Sequence, residues 1–234
     1  MATRSTPSSR RAAEPSVPAT AKQSLSTVAY EAILNRLRVG QVGTEDRLVD
    51  LEIAAQLGVS RMPVREALLQ LVAEGYLVST ARGYRVRALN RKDVAEVFEL
   101  RKLLEPRGAA LAARDISRTG ISRLGAVLGE AKAALAEDNF SRLFQANFDF
   151  REIWLGAVRN ERLASVIKRF ADQVLTVRLT TLRDVAVRHV VVAGLTEQHH
   201  AFAHHDSVAA QDSMLRFLMA AERSYAAVVL ADET

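Results

Sequence analysis

The sequence contains no cysteine, and this absence excludes disulfide bonds, thiolate metal sites and cysteine nucleophiles. Its longest apolar runs are far shorter than the roughly 20 residues that a membrane-spanning helix requires. The N-terminus also lacks the apolar core of a signal peptide. We therefore expect a cytoplasmic protein that has no membrane partner.

The short motifs of common enzymes are missing as well. No glycine-rich phosphate loop follows a strand, and there is neither a nucleophile elbow nor an interpretable acid–base pair. From residue 93 onward, no convincing strand-like alternation of apolar and polar residues occurs. These absences favour a protein that is not an enzyme and whose second half is helical.

What the chain does have is an ordinary globular composition with an uneven distribution of charge. Its 234 residues are 49% hydrophobic and 25% charged, which allows one or two domains with a sizeable core. Residues 60–87 carry five arginines against two glutamates, whereas residues 91–234 carry 20 basic and 19 acidic side chains. The basic excess is therefore local, as in a nucleic-acid-binding surface.

An amphipathic helix begins this basic stretch. Its apolar residues recur at i, i+3, i+4 and i+7, namely Val64, Ala67, Leu68 and Leu71. Ser60 is a good N-cap, and Pro63 fits the first turn. Arg61 and Arg65 lie side by side on the opposite face. Arginine at such a position can donate two hydrogen bonds to guanine in the DNA major groove; the alternative is a pair of solvated surface arginines.

The segments on either side predict a winged helix-turn-helix. Upstream, residues 51–57 form a short helix that ends at Gly58, a residue type that terminates helices in the left-handed conformation. Downstream, the pattern predicts a strand at residues 76–78, a turn at residues 80–83 and a second strand at residues 84–87. This hairpin would be a wing with Arg82 at its tip. Residues 25–38, with an apolar residue at every fourth position, would be the first helix.

The remainder of the chain predicts an all-α bundle, so that the fold class is mainly α. The expected divisions are a disordered tail (1–24), a winged helix-turn-helix domain (25–88), a linker (89–92) and a helical domain (93–234). Candidate helices are residues 92–114, 121–137, 140–157, 161–184 and 207–230. Residues 185–206 are ambiguous because of the valine run at 190–192, and a short helix is expected to resume near Thr196. Ligand sites in bundles lie between facing helices.

The residues from Gly58 to Leu68, followed by Leu71 and Glu74-Gly75, resemble the DNA-binding signature of GntR-family bacterial transcription regulators. The resemblance implies that the recognition helix and the wing tip contact an operator. The implied DNA-binding residues are Ser60, Arg61, Met62, Pro63, Arg65, Arg82 and Gly83. Met62 stands where the family commonly has threonine, which leaves the base preference at that position open.

The helix around Arg101, with Glu105-Pro106 and the small residues after it, is similar to the opening of the FCD effector-binding domain. This domain belongs to the fatty-acid-responsive subfamily of GntR regulators. Many members bind a divalent metal through Asp and His four residues apart and two later histidines, and the metal often holds a carboxylate effector. Here the first two positions are Asn147 and Arg151. Because a guanidinium cannot ligate a cation, we expect no metal cofactor.

Arg151 could replace the metal and hold an effector carboxylate directly through paired hydrogen bonds. The predicted effector-binding residues are Arg101, Asn147, Arg151 and His199. The alternative for Arg151 is an ion pair with Glu152 or Asp149, or an outward orientation.

All five histidines lie within residues 189–205. His200 and His204 have a spacing compatible with zinc or nickel, but no acidic partner supports a metal site. A solvated or partly buried cluster is the preferred interpretation.

Together these patterns predict a homodimeric regulator that binds double-stranded operator DNA and a small organic acid. Two alternatives remain. One is a metal-binding helical enzyme or small-molecule carrier with a vestigial DNA-binding domain, which tight metal binding without DNA preference would favour. The other is an RNA-binding winged helix, which competition between duplex DNA and structured RNA would separate.

Overall fold

The computed structural model describes residues 24–231, apart from the side chains at positions 176, 179, 180 and 228–231. In chain order its elements are α1 (Leu25–Arg38), α2 (Asp50–Leu57), α3 (Arg61–Ala73), β1 (Leu77–Thr80), β2 (Gly83–Val86), α4 (Arg91–Asp115), α5 (Arg118–Ala136), α6 (Phe140–Leu155), α7 (Glu161–Gln173), α8 (Leu175–Thr181), α9 (Val185–Ala203) and α10 (Ser207–Ala231). The predicted fold class is confirmed. Except for Ser24, the predicted tail lies outside the described residues.

The first unit, α1 to β2, is held together by one apolar core. α1 has the predicted bounds and begins at the N-cap Ser24. The apolar stripe of α3 is at most 1% exposed at each of its four positions, Val64, Ala67, Leu68 and Leu71. Complete burial of one such leucine contributes about 1.5–3 kcal/mol, so this stripe fixes which face of α3 turns outward.

The wing is an antiparallel hairpin with a two-residue loop, and β1 pairs with β2 along all four residues of each strand. Leu48 and Tyr84 also exchange both backbone hydrogen bonds, at 2.8 and 2.9 Å. This additional bridge, which the sequence did not predict, attaches the wing to the segment before α2. A Cβ at Gly83 would lie 2.5 Å from the Leu48 carbonyl oxygen, and its φ is 128°, so the bridge requires glycine there.

The second unit is the bundle of α4 to α10. Asn90 and Asp93 form the predicted capping box at the start of α4. Four large apolar residues of α6 are buried, namely Phe144, Phe150, Trp154 and Leu155, whereas Phe148 is half-buried. Phe202 of α9 packs against two of these aromatic rings, which joins α6 to α9. Within residues 24–231, no helix has both the length and the apolarity needed to cross a membrane.

The single helix predicted over residues 161–184 is wrong, because it is interrupted at Val174 between α7 and α8. Val174 is itself 2% exposed, so the apolar pattern continues across the break and gives no local sign of it. The interruption divides the segment into a part that contacts the first unit and a part that lines a cavity.

The stretch at residues 185–206 forms one 19-residue helix, α9, rather than a short helix that resumes near Thr196. The Asp184 side chain accepts a hydrogen bond from the Ala186 amide and so caps the start of α9. The residues that face the core have helical spacing, namely Val187, Val191 and Leu195. Burial of this face overrides the strand preference of the valine run.

Candidate DNA-binding surface and effector cavity

The N-terminal end of α3 projects away from the first core. Ser60 is the N-cap residue in an extended conformation, and its side chain makes no capping hydrogen bond. Arg61, Met62 and Arg65 are exposed, while Pro63 is half-buried in the first turn. The five residues that the sequence assigned to this end of the recognition helix therefore lie together, on a helix whose other face is buried.

Arg61 is held by an ion pair within the first unit. Its Nη2 donates to both carboxylate oxygens of Asp50, at 3.1 and 3.0 Å, and its side chain is 61% exposed. Exposed ion pairs contribute about 0–1 kcal/mol, so a phosphate or guanine can replace the carboxylate at little cost. Asp50 thus orients the guanidinium without sequestering it.

The wing tip is rigid at its base and exposed at its end. The Thr80 hydroxyl donates to the Gly83 carbonyl at 3.0 Å, which closes the turn. Arg82 is exposed at the tip, and Arg85 is exposed on β2. These two side chains extend the cationic surface beyond α3.

Arg87, just after β2, serves a different purpose. Its Nη2 lies 3.2 Å from Oδ1 of Asp93 in the first turn of α4, and its side chain is 46% exposed. Arg87 therefore bridges the hairpin and the second unit, unlike Arg82 and Arg85.

A cavity of about 40 Å³ lies in the second unit among α4, α6, α8, α9 and α10. One ordered water needs at least about 10–15 Å³, so the cavity has room for about three waters. Most of its wall is apolar, and its polar lining consists of Arg101, Asn147, Arg178, Thr181 and Ser224. Such a wall is typical of small-molecule sites. Of the four predicted effector residues, Arg101 and Asn147 line it.

Arg178 is the charged cavity residue that sequence analysis missed. Burial, reinforced by Arg151 and Arg101, lowers the pKa of its guanidinium to about 9, so it is still charged at pH 7. Its Nη1 is buried and has no hydrogen-bond partner among the described residues. The available signal was a lone arginine in the otherwise uncharged stretch 173–182.

The charges around the cavity are not balanced. Arg101 is paired with Glu105 through Nε and Oε1, 2.5 Å apart, one turn along α4. Arg151 and Arg178 have three buried N–H donors without a partner in the described part of the chain, namely Arg151 Nε, Arg151 Nη1 and Arg178 Nη1. Because each unmet buried donor is costly, this region is suited to an anion with several acceptor oxygens.

Arg151 lies next to the cavity but is not part of its lining. Its Nη2 donates to Oδ1 of Asp172 on α7 at 2.5 Å and lies 3.8 Å from Oε1 of Glu152. The sequence analysis gave an ion pair with Glu152 or Asp149 as the alternative, whereas the shorter pair is with Asp172, 21 residues away. The predicted role of Arg151 in effector binding is not tested by this geometry and remains a prediction.

His199 lies away from the cavity, against α5. Its Nε2 is 3.2 Å from the point where a Cβ would stand at Gly125. The rings of the neighbouring His200 and His204 contact each other with centroids 4.3 Å apart and planes inclined by 32°. His204 Nδ1 also hydrogen-bonds the His200 carbonyl, which engages one ring nitrogen of the pair.

The two units meet where α7 contacts the ends of α1 and α3. Arg38, the last residue of α1, donates from Nη2 to Oδ2 of Asp172 at 2.7 Å. Arg169 donates to the Ala73 and Glu74 carbonyls at 3.1 Å each. Gln173 donates to the Glu74 carbonyl at 2.8 Å. The last carbonyls of the recognition helix are therefore capped by side chains of the second unit.

Two protein families match this chain, one over each of its two structural units. Residues 25–84 match the family described as bacterial regulatory proteins of the gntR family, and residues 96–220 match the FCD domain family. The chain belongs to the GntR family. The FCD match alone covers more than half of it. This is a family of DNA-binding transcription regulators, and the resemblance seen in the sequence is confirmed.

Named relatives of this GntR-family chain are regulators. It is 31% identical to the Nta operon transcriptional regulator of Aminobacter aminovorans, over 55% of this chain and 61% of that protein. It is 29% identical to the HTH-type transcriptional regulator McbR of Escherichia coli, over 55% of this chain and 58% of that protein. The matched part thus spans about three fifths of each relative's length.

Solved structures share the fold of the GntR-family chain. The structure of McbR/YncC of Escherichia coli aligns with 90% of this chain over 99% of its own length, with a TM-score of 0.78 and 20% sequence identity. The structure of a GntR-type protein from Rhodococcus sp. RHA1 aligns with 86% of this chain over 97% of its own length, with a TM-score of 0.71 and 20% sequence identity. The arrangement of winged unit and bundle is therefore shared at low identity.

The residues of this GntR-family chain do not suit the divalent metal that the FCD resemblance suggested. Asn147 and Arg151 occupy two ligand positions, and the Arg151 guanidinium is already paired with Asp172. Among the described residues, no group of three or more His, Cys, Asp or Glu side chains is placed to hold a metal. That the protein uses no metal cofactor remains a prediction.

Proposed function

We propose that this GntR-family chain is a homodimeric, cytoplasmic transcription regulator, not an enzyme, whose affinity for operator DNA is modulated by a small carboxylate-bearing effector. The observation that carries the DNA-binding part is the end of α3, where Ser60, Arg61, Met62 and Arg65 are exposed and the opposite face is fully buried. A helix anchored in this way can enter a major groove end-on.

Arg61 and Arg65 would read bases, and Arg82 and Arg85 would contact phosphates. A good bidentate contact between arginine and guanine is worth about 1–3 kcal/mol of discrimination. Met62, with 62% of its surface exposed between the reading arginines, would add an apolar contact such as one to a thymine methyl group. Phosphate contacts strengthen binding to every sequence and weaken as salt rises.

The effector part rests on the charge imbalance around the cavity. An organic acid could place its carboxylate against Arg178 and its carbon chain against the apolar wall, while Asn147 and Arg101 orient it. Guanidinium groups bind carboxylates through paired hydrogen bonds without a metal. Arg151, with two unmet donors, lies close enough to respond to the same charge.

Dimerisation would use the bundle. α4 and α10 pack together and leave large apolar side chains exposed at helical spacing, namely Leu100, Leu103, Leu215 and Met219. Leu103 is 68% exposed, which is unusual for a leucine in the middle of a long helix. A second copy would cover this surface, and its two-fold symmetry would match an operator with two related half-sites.

The deciding experiment is selection of bound duplexes from a random pool by the full chain, repeated in the presence of a panel of short carboxylic acids. We expect two related half-sites at fixed spacing and a loss or gain of binding with at least one acid. Recovery of unrelated sequences would contradict operator recognition. An identical outcome with every acid would contradict the effector part. The molar mass in solution tests the dimer separately.

A further inference from the structure

Asp172 is a buried carboxylate that both units share. Its two oxygens are divided between them, Oδ2 accepting from Arg38 of the first unit and Oδ1 from Arg151 of the second. Its side chain is completely buried, and those of Arg38 and Arg151 are 10% and 6% exposed. The two guanidinium groups also lie 5.2 and 5.1 Å from the ring centroid of Phe148 on α6.

We infer that Asp172 couples the cavity to the recognition helix: an anion that engages the Arg151 donors weakens the Asp172 bridge and releases α7 from α1 and α3. This inference rests on the proposed effector site for its trigger, but the bridge itself is a property of the chain without any ligand. It assigns the regulatory step to one buried carboxylate and to the helix that carries it.

The first step of the argument is that α7 holds the recognition helix directly. Arg169 and Gln173 lie on the same helix as Asp172 and donate to the carbonyls of Ala73 and Glu74 at the end of α3. A shift of α7 therefore changes the partners of the carbonyls that end α3. The buried stripe of α3 transmits such a change along the whole helix, because packed cores deform little.

The second step is that Arg151 of the bridge lies next to the cavity, and that the α7–α8 interruption borders both. Arg151 gives Nη2 to Asp172 and keeps Nε and Nη1 unpaired among the described residues. Val174 lines the cavity and directly follows Gln173, while Arg178 lies one turn further on. An anion at Arg178 and Arg151 thus acts on both sides of the interruption.

The third step gives the direction of the effect. An anion beside Arg151 places a second negative charge near Asp172 and competes for the guanidinium that now neutralises it. Like charges in a buried region repel strongly, and a hydrogen bond to a charged partner is worth more than a neutral one. The Asp172–Arg38 ion pair then loses the hydrogen bond from Arg151 that holds Asp172 on the bundle side. Anion binding therefore loosens the contact between the two units.

The test compares hydrogen exchange in the full chain without any ligand. In Arg38→Leu, which leaves the Asp172–Arg151 pair intact, we expect exchange of the Glu74, Gly75 and Tyr76 amides to rise by at least about tenfold. The matched control is Arg36→Leu, because Arg36 lies in the last turn of the same helix but hydrogen-bonds Gln56 within its own unit. Asp172→Asn should reproduce the increase. Unchanged exchange in both Arg38→Leu and Asp172→Asn would overturn the coupling, whatever the effector proves to be.

A second arm uses acetate as the probe, with chloride at equal ionic strength as the reference. Acetate should raise exchange of the same amides in the unmodified chain, and Arg178→Gln should abolish this response when each protein is compared with its own ligand-free state. Acetate binding, measured by calorimetry, without a change in exchange would refute the coupling and leave the effector site standing. Absence of acetate binding would refute the anion trigger and the effector site, while the first arm still decides the bridge.

Discussion

The side-chain nitrogen of Gln173 lies 2.9 Å from the point where a Cβ would stand at Gly75. Gly75 has a φ of 84° and ends the recognition helix, so two constraints act on one position. The left-handed conformation disfavours any side chain there, and the Gln173 amide occupies the space that one would need. The contact between the two units thus requires glycine, which has no Cβ, at position 75.

We predict that Gly75→Ala lowers the free energy of unfolding by about 1–3 kcal/mol, from backbone strain together with displacement of the Gln173 hydrogen bond. Denaturant unfolding of the full chain measures the change. Gly129→Ala is the matched control, because Gly129 lies within α5 and nothing is within 4 Å of its Cβ position. That variant should gain about 0.5–1 kcal/mol. A loss of similar size in both variants would contradict the prediction.

Asp172 makes the stability of the chain sensitive to acid. Burial raises the pKa of Asp172, but the nearby guanidinium groups of Arg151 and Arg38 outweigh it and hold the pKa below its ordinary value. A carboxylate with a lowered pKa stabilises the fold fully above its unfolded pKa of about 3.9, and this contribution is lost as the pH falls through the lower folded value.

We therefore predict that Asp172→Asn lowers the free energy of unfolding at pH 7 by about 3–5 kcal/mol, since two buried guanidinium groups lose their shared counter-charge. The difference between the variant and the unmodified chain should narrow below about pH 4. Unfolding free energies measured at several pH values test this, and a constant difference down to acid pH would count against it.

The side chains that we propose to bind DNA should divide into two functional classes. Arg65→Ala should reduce discrimination between the selected operator and random duplex by about 1–3 kcal/mol. Arg82→Ala should weaken both duplexes alike and reduce the slope of log affinity against log salt by about 1. Fluorescence anisotropy at several salt concentrations measures both quantities. Arg142→Ala is the control, since Arg142 pairs with Glu130 and Glu137 in the bundle. Equal losses from Arg65→Ala and Arg82→Ala on both duplexes would contradict the division.

The recognition helix could be predicted from sequence because all its determinants are local. The apolar stripe has helical spacing, Gly58 ends the preceding helix with a φ of 66°, and the exposed arginines follow from the buried face. The same applies to the capping box at Asn90. Where neighbouring residues alone decide a conformation, the pattern was sufficient.

The bridge and the complete cavity could not be predicted in this way. Arg38 and Asp172 are 134 residues apart in the chain, and no periodicity relates them. Arg178 lies on α8. The break between α7 and α8 cannot be seen in the apolar pattern, because Val174 at the break is itself apolar and buried. Sequence analysis named Arg101 and Asn147, which line the cavity, but had no means of finding the charges from other helices that surround them.

Arg178 offers a prediction with an unusual sign. Because its buried Nη1 lacks a partner among the described residues and its charge lies near Arg151 and Arg101, its guanidinium destabilises the ligand-free fold. Arg178→Met should therefore raise the free energy of unfolding by about 1–2 kcal/mol. Arg188→Met is the matched control, since Arg188 is a buried arginine that pairs with Asp138 at 2.8 Å, and it should destabilise. Denaturant midpoints decide the comparison. Destabilisation of both variants would contradict the prediction that the unpaired Arg178 charge destabilises the ligand-free fold and that a bound anion would remove this destabilisation.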